Sequence, residues 1–261
     1  MGREGKRPGP RAPVEESVVR GFFKDLFGPI VDELGCPEYP LALFSKPGWL
    51  TTWCTSLEMA VQQSCAAARN GDDVYYHLAL HDFEARKEIA DRDEDKARPR
   101  RTTFLDFREP DGFAVTSFRG RITTARILSS LWLDVDSGAT AHKKKQLPPH
   151  AAAARALIDE VGRRLGMPAS WIVHSGHGYH VYWLLREPMR MASDEERSQA
   201  QALVKSLERF AAAVAAEVGT ASTGRPYEFD ATHDLARVLR VPGTVNFKDP
   251  SRPLRVRFEV R

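Results

Sequence analysis

Two aspartates one residue apart, Asp134 and Asp136, close the apolar run "SLWLDVD" at residues 130–136. On a strand, alternate side chains leave opposite faces, so both carboxylates share one face while Leu131, Leu133 and Val135 share the other. Neighbouring ionised carboxylates repel, and a divalent cation held between them removes the repulsion. Hard oxygen ligands of this kind suit Mg²⁺ or Mn²⁺. The plainer reading is a strand end whose acids face water. Asp-x-Asp also occurs twice in "DRDED" at 91–95, a polar stretch, and only the apolar lead-in sets 134–136 apart.

A second cluster lies in "SWIVHSGHGYHVYWLL" at 170–185. Gly176 and Gly178 permit positive φ and leave backbone N–H groups open to an anion, and Ser175 adds a hydroxyl. His180, Tyr182 and Leu184 share one face of the strand that follows, and Tyr179, Val181 and Trp183 share the other. An imidazole beside such a turn can donate to a phosphate oxygen. A hairpin with histidines on its wet side is the alternative, and for His177 taken alone it is the preferred one. A third cluster is "FDATHDLARVLRVPGTVNFKDP" at 229–250. Here Asp230 and Asp234 are expected one helical turn apart, and Arg237 follows on a similar face. Arg240, Asn246 and Lys248 surround a Pro-Gly turn, an arrangement suited to phosphates or sugar hydroxyls. Asp234 with Arg237 reads most simply as a surface ion pair.

These clusters need elements to hold them. Apolar positions Val14, Val18, Phe22, Leu26 and Ile30 recur at helical spacing, predicting a helix over 13–35. A second helix is expected over 55–70, capped by Thr55 or Ser56, with Gly71 past its end. Residues 73–81 read as one strand and 84–101 as an exposed loop or ragged helix. Residues 130–136 form a strand, 137–149 a loop and 150–166 a helix. Two strands flank the Ser-Gly-His-Gly turn. A long helix fills 193–219, with Ser193 and Glu196 as a capping box. A short segment at 225–230, a helix near 232–238 and a strand over 252–260 complete an α+β chain.

Composition bounds the partners. The 261 residues are 42% hydrophobic and 28% charged, with net charge +3. No apolar run approaches the roughly 18–20 residues a membrane helix needs. The start, "MGREGKRPGPRAP", has no apolar signal-peptide region, and residues 1–12 read as a disordered basic tail. Cys36, Cys54 and Cys65 are too few and too scattered for a disulfide framework or zinc ribbon, which suits a reducing cytoplasm. From Arg237 onward, Arg237, Arg240, Lys248, Arg252, Arg255, Arg257 and Arg261 outnumber Asp249 and Glu259. That excess suits a polyanion, or else the wet face of an edge strand.

The order hydrophobic-D-x-D, then S-G-x-G-x-H, then an aspartate preceding "ARVLRVPGTVNFK", resembles the catalytic core of the archaeo-eukaryotic primase superfamily. It looks closest to the primase-polymerases of plasmids, phages and CRISPR-associated operons. The resemblance covers 120–250 well and 70–85 loosely. It implies an RRM-like catalytic sheet with flanking helices, joined to an N-terminal α/β unit. It assigns Asp134, Asp136 and Asp230 to two Mg²⁺ or Mn²⁺ ions, with Asp234 a rival for the third place. It sets Ser175, Gly176 and His180 on the triphosphate, and Arg240, Asn246 and Lys248 beside the nucleotide pocket. Many primases carry a zinc module, and this chain has no cysteine or histidine cluster to build one.

The expected division is a helical segment over 13–70 and a catalytic domain over 71–261. The end at "FEVR" reads as a cut from a longer protein. The activity implied is synthesis on a single-stranded DNA template, with a primer, from dNTPs or NTPs. His180 and Lys248 are expected to offset triphosphate charge, and Arg255 and Arg257 to follow the template. Lys143, Lys144 and Lys145 are expected to grip an initiating nucleotide. Other domains, or replication or CRISPR proteins of the same operon, are further expected partners. A metal-dependent nuclease and a non-catalytic RRM-like binding module, stacking bases on Tyr179, Tyr182 or Trp183, are the alternatives.

Overall fold

The computed structural model describes residues 13–34, 39–92, 103–104, 112–138, 146–228 and 232–260. In chain order the helices are α1 (Glu16–Leu34), α2 (Leu57–Arg69), α3 (Phe83–Arg92), α4 (Ala151–Leu165) and α5 (Asp194–Thr223). The early strands are β1 (Leu41–Lys46), β2 (Leu50–Cys54), β3 (Asp73–His77), β4 (Ala79–His81), β5 (Thr103–Phe104) and β6 (Phe113–Thr116). Next come β7 (Ala125–Asp136), β8 (Trp171–His174) and β9 (Gly178–Arg190). The last are β10 (Val238–Arg240), β11 (Val245–Asn246), β12 (Leu254–Arg255) and β13 (Arg257–Val260).

The chain is α+β, with two larger antiparallel sheets and helices packed on them. One sheet runs β10-β3-β1-β2-β6-β5 and the other β13-β8-β9-β7-β4, while β11 and β12 form a short ladder of their own. In the second sheet β7 and β8 both pair with the intervening β9, and α4 connects them. With α5 following β9, this is the β-α-β-β-α run of a split βαβ, the core of an RRM-like sheet.

Several helix ends form where the sequence predicts. The Ser56 hydroxyl accepts from the Met59 N–H to cap α2, and Ser193 and Glu196 close a capping box on α5. α4 ends on Gly166 in the left-handed region, which satisfies the final carbonyls. Other elements differ from expectation. The 13–70 segment is not helical alone, because the β1–β2 hairpin lies between its helices. The 73–81 strand is two strands in different sheets, broken after His77. Residues 232–238 form no helix: an irregular stretch with a turn leads into β10, which gains its hydrogen bonds from β3. The 252–260 strand also divides, with Val256 between β12 and β13.

The main core joins α1 and α2 to both sheets through Phe22, Phe23, Phe27, Tyr76, Trp132 and Tyr182. The Tyr76 hydroxyl donates to the Tyr182 hydroxyl at 2.9 Å, tying one sheet to the other. A second core lies between the five-stranded sheet and α4 and α5, and takes Leu133, Val135, Tyr179, Val181 and Trp183. Since Leu133 and Val135 point toward those helices, alternation turns Asp134 and Asp136 the opposite way. Among the described residues no helix is long and apolar enough to cross a membrane.

Candidate functional site

The register of β7 and β9 sets the site. Asp134 lies directly opposite His180, and Asp136 opposite Gly178. Glycine at 178 is required by this pairing: a Cβ there would stand 2.3 Å from the Val135 carbonyl oxygen and 2.8 Å from the Asp136 Cα. The two strands therefore close more tightly around Asp136 than any side chain at 178 would allow. The Ser-Gly-His-Gly turn links β8 to β9 as predicted, with the Ser175 N–H donating to the Gly178 carbonyl at 2.9 Å. Gly176 sits at φ +103°.

Asp134 is mostly buried, and each of its oxygens has a cationic or imidazole neighbour. Arg237 Nη2 donates to Oδ2 at 2.8 Å, and His180 Nε2 lies 3.8 Å from Oδ1. The surface pair expected between Asp234 and Arg237 is thus replaced by one across the sheets. What Asp234 does share with Arg237 is a backbone bond, accepting from the Arg237 N–H at 3.0 Å. Arg237 is aimed by its own backbone, whose carbonyl accepts from the Leu78 N–H just before β10 joins β3.

His180 is 5% exposed, and its Nδ1 is buried without a hydrogen-bond partner. Burial pushes its pKa down to about 4 against the pull of Asp134, with Arg240 and Arg237 adding to the push. The ring is therefore neutral near pH 7. A neutral imidazole offers one N–H to an acceptor and adds no charge.

The third cluster packs against the same turn. Asn246, 3% exposed, donates through Nδ2 to the Ser175 carbonyl at 2.7 Å, and its Oδ1 accepts from the Lys248 N–H at 2.9 Å. Its role is that of a clamp between two loops. Arg240 donates to Asp73 Oδ1 at 2.5 Å, and its guanidinium lies 4.7 Å above the Tyr75 ring. The same Asp73 oxygen accepts from the Phe247 N–H at 2.7 Å, so one carboxylate fixes both ends of the Pro-Gly turn.

Asp134 and His180, Asp136 and Gly178, and Ser175 and Asn246 are thus neighbours drawn from three distant stretches, and Arg240 is near enough to His180 to lower its pKa. Lys248 is exposed beside them, and its charge helps to hold the His177 pKa down, behind the larger effect of burial. Arg255 is paired at 2.9 Å with Glu15, and Arg257 is exposed on β13 opposite His174. Asp230, Lys143, Lys144 and Lys145 lie outside the described residues. Sequence reasoning missed Asp73, Tyr75 and the Arg237–Asp134 pair. The "DVYY" run carries the first two, with an acid at the start of a β-branched and aromatic strand as its only signal.

No family model and no curated protein matches the chain. Among solved structures, the AEP domain of the cyanophage S-2L primase-polymerase (PrimPol) superposes with a TM-score of 0.42 at 12% identity. The alignment covers 85% of this chain and 83% of that one. A superposition at that level assigns no residue a role.

Proposed function

We propose that the chain is a metal-dependent nucleotidyltransferase that extends a strand on a single-stranded DNA template from nucleoside triphosphates. The observation that carries this reading is the placement of Asp134 and Asp136 on one face of β7, beside an imidazole, a clamped glycine turn and Arg240. The donor set fits a hard divalent cation, because Mg²⁺ is commonly held by one or two carboxylates with substrate phosphates and water completing its shell. Among the described residues no three His, Cys, Asp or Glu side chains form a ready-made cage. Further ligands would come from the substrate and from Asp230, which the resemblance makes the third carboxylate, with Asp234 its rival.

Mg²⁺ or Mn²⁺ held there would offset charge on the attacking 3′ hydroxyl oxygen and on the departing pyrophosphate. The protein's own groups do the positioning. Asp134 and Asp136 hold the cation. His180, neutral and nearly dry, donates one hydrogen bond to a phosphate oxygen, and the arriving anion raises its pKa. Arg240 and Lys248 supply fixed positive charge on the neighbouring wall. Asn246 keeps the Ser175 turn in place, and Arg255 reaches a template phosphate only by leaving Glu15.

The deciding experiment offers a primed template, labelled dNTPs or NTPs, and Mn²⁺. Extension is expected, and its loss in Asp134→Ala with Asp136→Ala, with DNA binding kept. Shortening of the primer would instead mark a nuclease, and a mobility shift alone a binding module. Starting a chain must immobilise two free nucleotides, which costs more than adding one to a held primer. Unprimed synthesis is accordingly expected to be weaker and to lean on Lys143, Lys144 and Lys145. A triple-alanine variant that lowers primed and unprimed synthesis equally would remove that role.

A further inference from the structure

The six-stranded sheet turns a row of aromatic rings and cations away from α1 and α2. Leu43, Tyr76 and Leu239 point into the core shared with those helices. By alternation Phe44, Lys46, Tyr75 and Arg240 point the other way. Phe44 stands opposite Tyr75, and Tyr75 opposite Arg240, so the three form a line across β1, β3 and β10. Their contacts are continuous. The Arg240 guanidinium lies 4.7 Å from the Tyr75 ring centre, Lys46 Nζ 5.2 Å from the same ring, and the Arg119 guanidinium 5.1 Å from Phe44.

The outer end of this line is Trp49, in the turn between β1 and β2. Its ring is 5.7 Å from Phe44 at 63°, and Lys46 Nζ lies 4.6 Å from its centre. Two features set Trp49 apart. The side chain is 52% exposed, although an indole gains much by burial. Its backbone holds φ +54°, the single non-glycine residue at positive φ among those described. A bulky residue held there is a conformational outlier, and such outliers gather at functional sites.

We propose that this face is a binding track for single-stranded nucleic acid, with an unpaired base stacked on the outer face of Trp49. Lys46 and the exposed Arg119 take the phosphates as the strand runs toward Asp134, while Arg240, buried and bonded to Asp73, holds the Tyr75 ring in place. Cations interleaved with rings are the chemistry that single strands use: charge follows the backbone, and flat rings accept any base. A duplex is a poor fit, since its base faces are already covered. A lone nucleotide would fill one ring and leave cations at the far end unused. The inference rests on the proposed synthesis for its direction, and its test is separate because it needs neither metal nor catalysis.

The protein supplies its own probe. Trp53, Trp132, Trp171 and Trp183 are at most 7% exposed, so quenching of indole emission by an added ligand reports Trp49. The experiment titrates a thymidine oligonucleotide into the full chain in EDTA, in parallel with the matching duplex and with free dTTP. Saturable quenching by the single strand is expected, with little from either control. Trp49→Gly removes the ring and suits the positive φ, so the turn keeps its shape. It should weaken oligonucleotide binding, read by anisotropy, by roughly 5- to 150-fold, and Trp49→Phe should recover much of it. Lys46→Gln should lower the salt dependence by about 0.7 in log–log slope. Equal quenching by dTTP, or Trp49→Gly binding like the parent, would overturn the track. Loss of extension in the Asp134 and Asp136 variant with quenching unchanged leaves the track standing and concerns only the chemistry.

Discussion

Acid should unfold this protein earlier than its carboxylates alone would require, because two histidines are buried without charge. His77 and His81 are fully buried, with ring centres 5.0 Å apart in an edge-on contact. Both nitrogens of His77 and the Nε2 of His81 lack hydrogen-bond partners. Burial pushes His81 down to about 3, with Arg126 and Arg86 adding to the push and hydrogen bonding to the Arg121 and Thr124 backbone opposing it. His77 is also lowered, by burial first and then by His81 and Arg119. Asp82, the next residue after His81 in the chain, is already paired with Arg126 at 3.1 Å. Because the folded pKa lies below the unfolded one, the unfolded chain binds more protons between them. The stability is complete above pH 6.5 and drains away as pH falls toward 3. At about pH 5 the gap is about 1.5 units, and at about 1.36 kcal/mol per unit His81 alone costs about 2 kcal/mol. With a urea slope of about 3 kcal/mol per molar, that moves the midpoint by about 0.7 M between pH 7.5 and 5. The assay compares urea midpoints at both pH values for the parent and for His81→Gln, which cannot take up the proton. The variant should lose about 2 kcal/mol less across the interval. Parallel losses in both proteins would show that His81 is charged, or hydrated, in the folded state.

Three further outcomes test the site. Gly178→Ala forces a methyl group against the Val135 carbonyl, so β7 and β9 must part. Loss of several kcal/mol of stability is expected by urea unfolding, together with weakened Mn²⁺ binding. Asn246→Ala leaves the Ser175 carbonyl and the Lys248 N–H without their partner. It should cost about 1–3 kcal/mol in thermal or urea unfolding. Arg237→Gln releases Asp134 Oδ2 from its cation, and Mn²⁺ binding followed by EPR without nucleotide should tighten several-fold.

What could be read from the sequence was local. Ser193 with Glu196, Ser56 and the alternation through Leu133, Asp134, Val135 and Asp136 each act within one turn or one strand. Neighbouring residues carry the whole signal there. The Ser-Gly-His-Gly turn was legible for the same reason. What was not legible depends on pairings far along the chain. Val238 to Arg240 has little to mark it as strand, and it becomes one because β3 offers an edge. Arg237 has Asp234 three residues away yet chooses Asp134, since the path of the backbone after Leu78 aims it across the sheets. The β1–β2 hairpin alternates imperfectly, and its turn carries Trp49, which no turn preference would place at positive φ.

The position of the last strands bears on how the protein is made. β10 completes one sheet at β3, β13 completes the other at β8, and Asn246 between them locks the turn beside the acids. During synthesis, then, the β3 and β8 edges stay bare until residues 238–260 have emerged. Unpaired edges invite strand addition from a neighbouring chain. Closing pairs so distant in sequence is slow. Asp134 and Asp136 can reach their strand well before Arg237 and Arg240 exist to balance them, so the nascent site is first an acidic one. The cations that balance it arrive only with β10 and the residue before it.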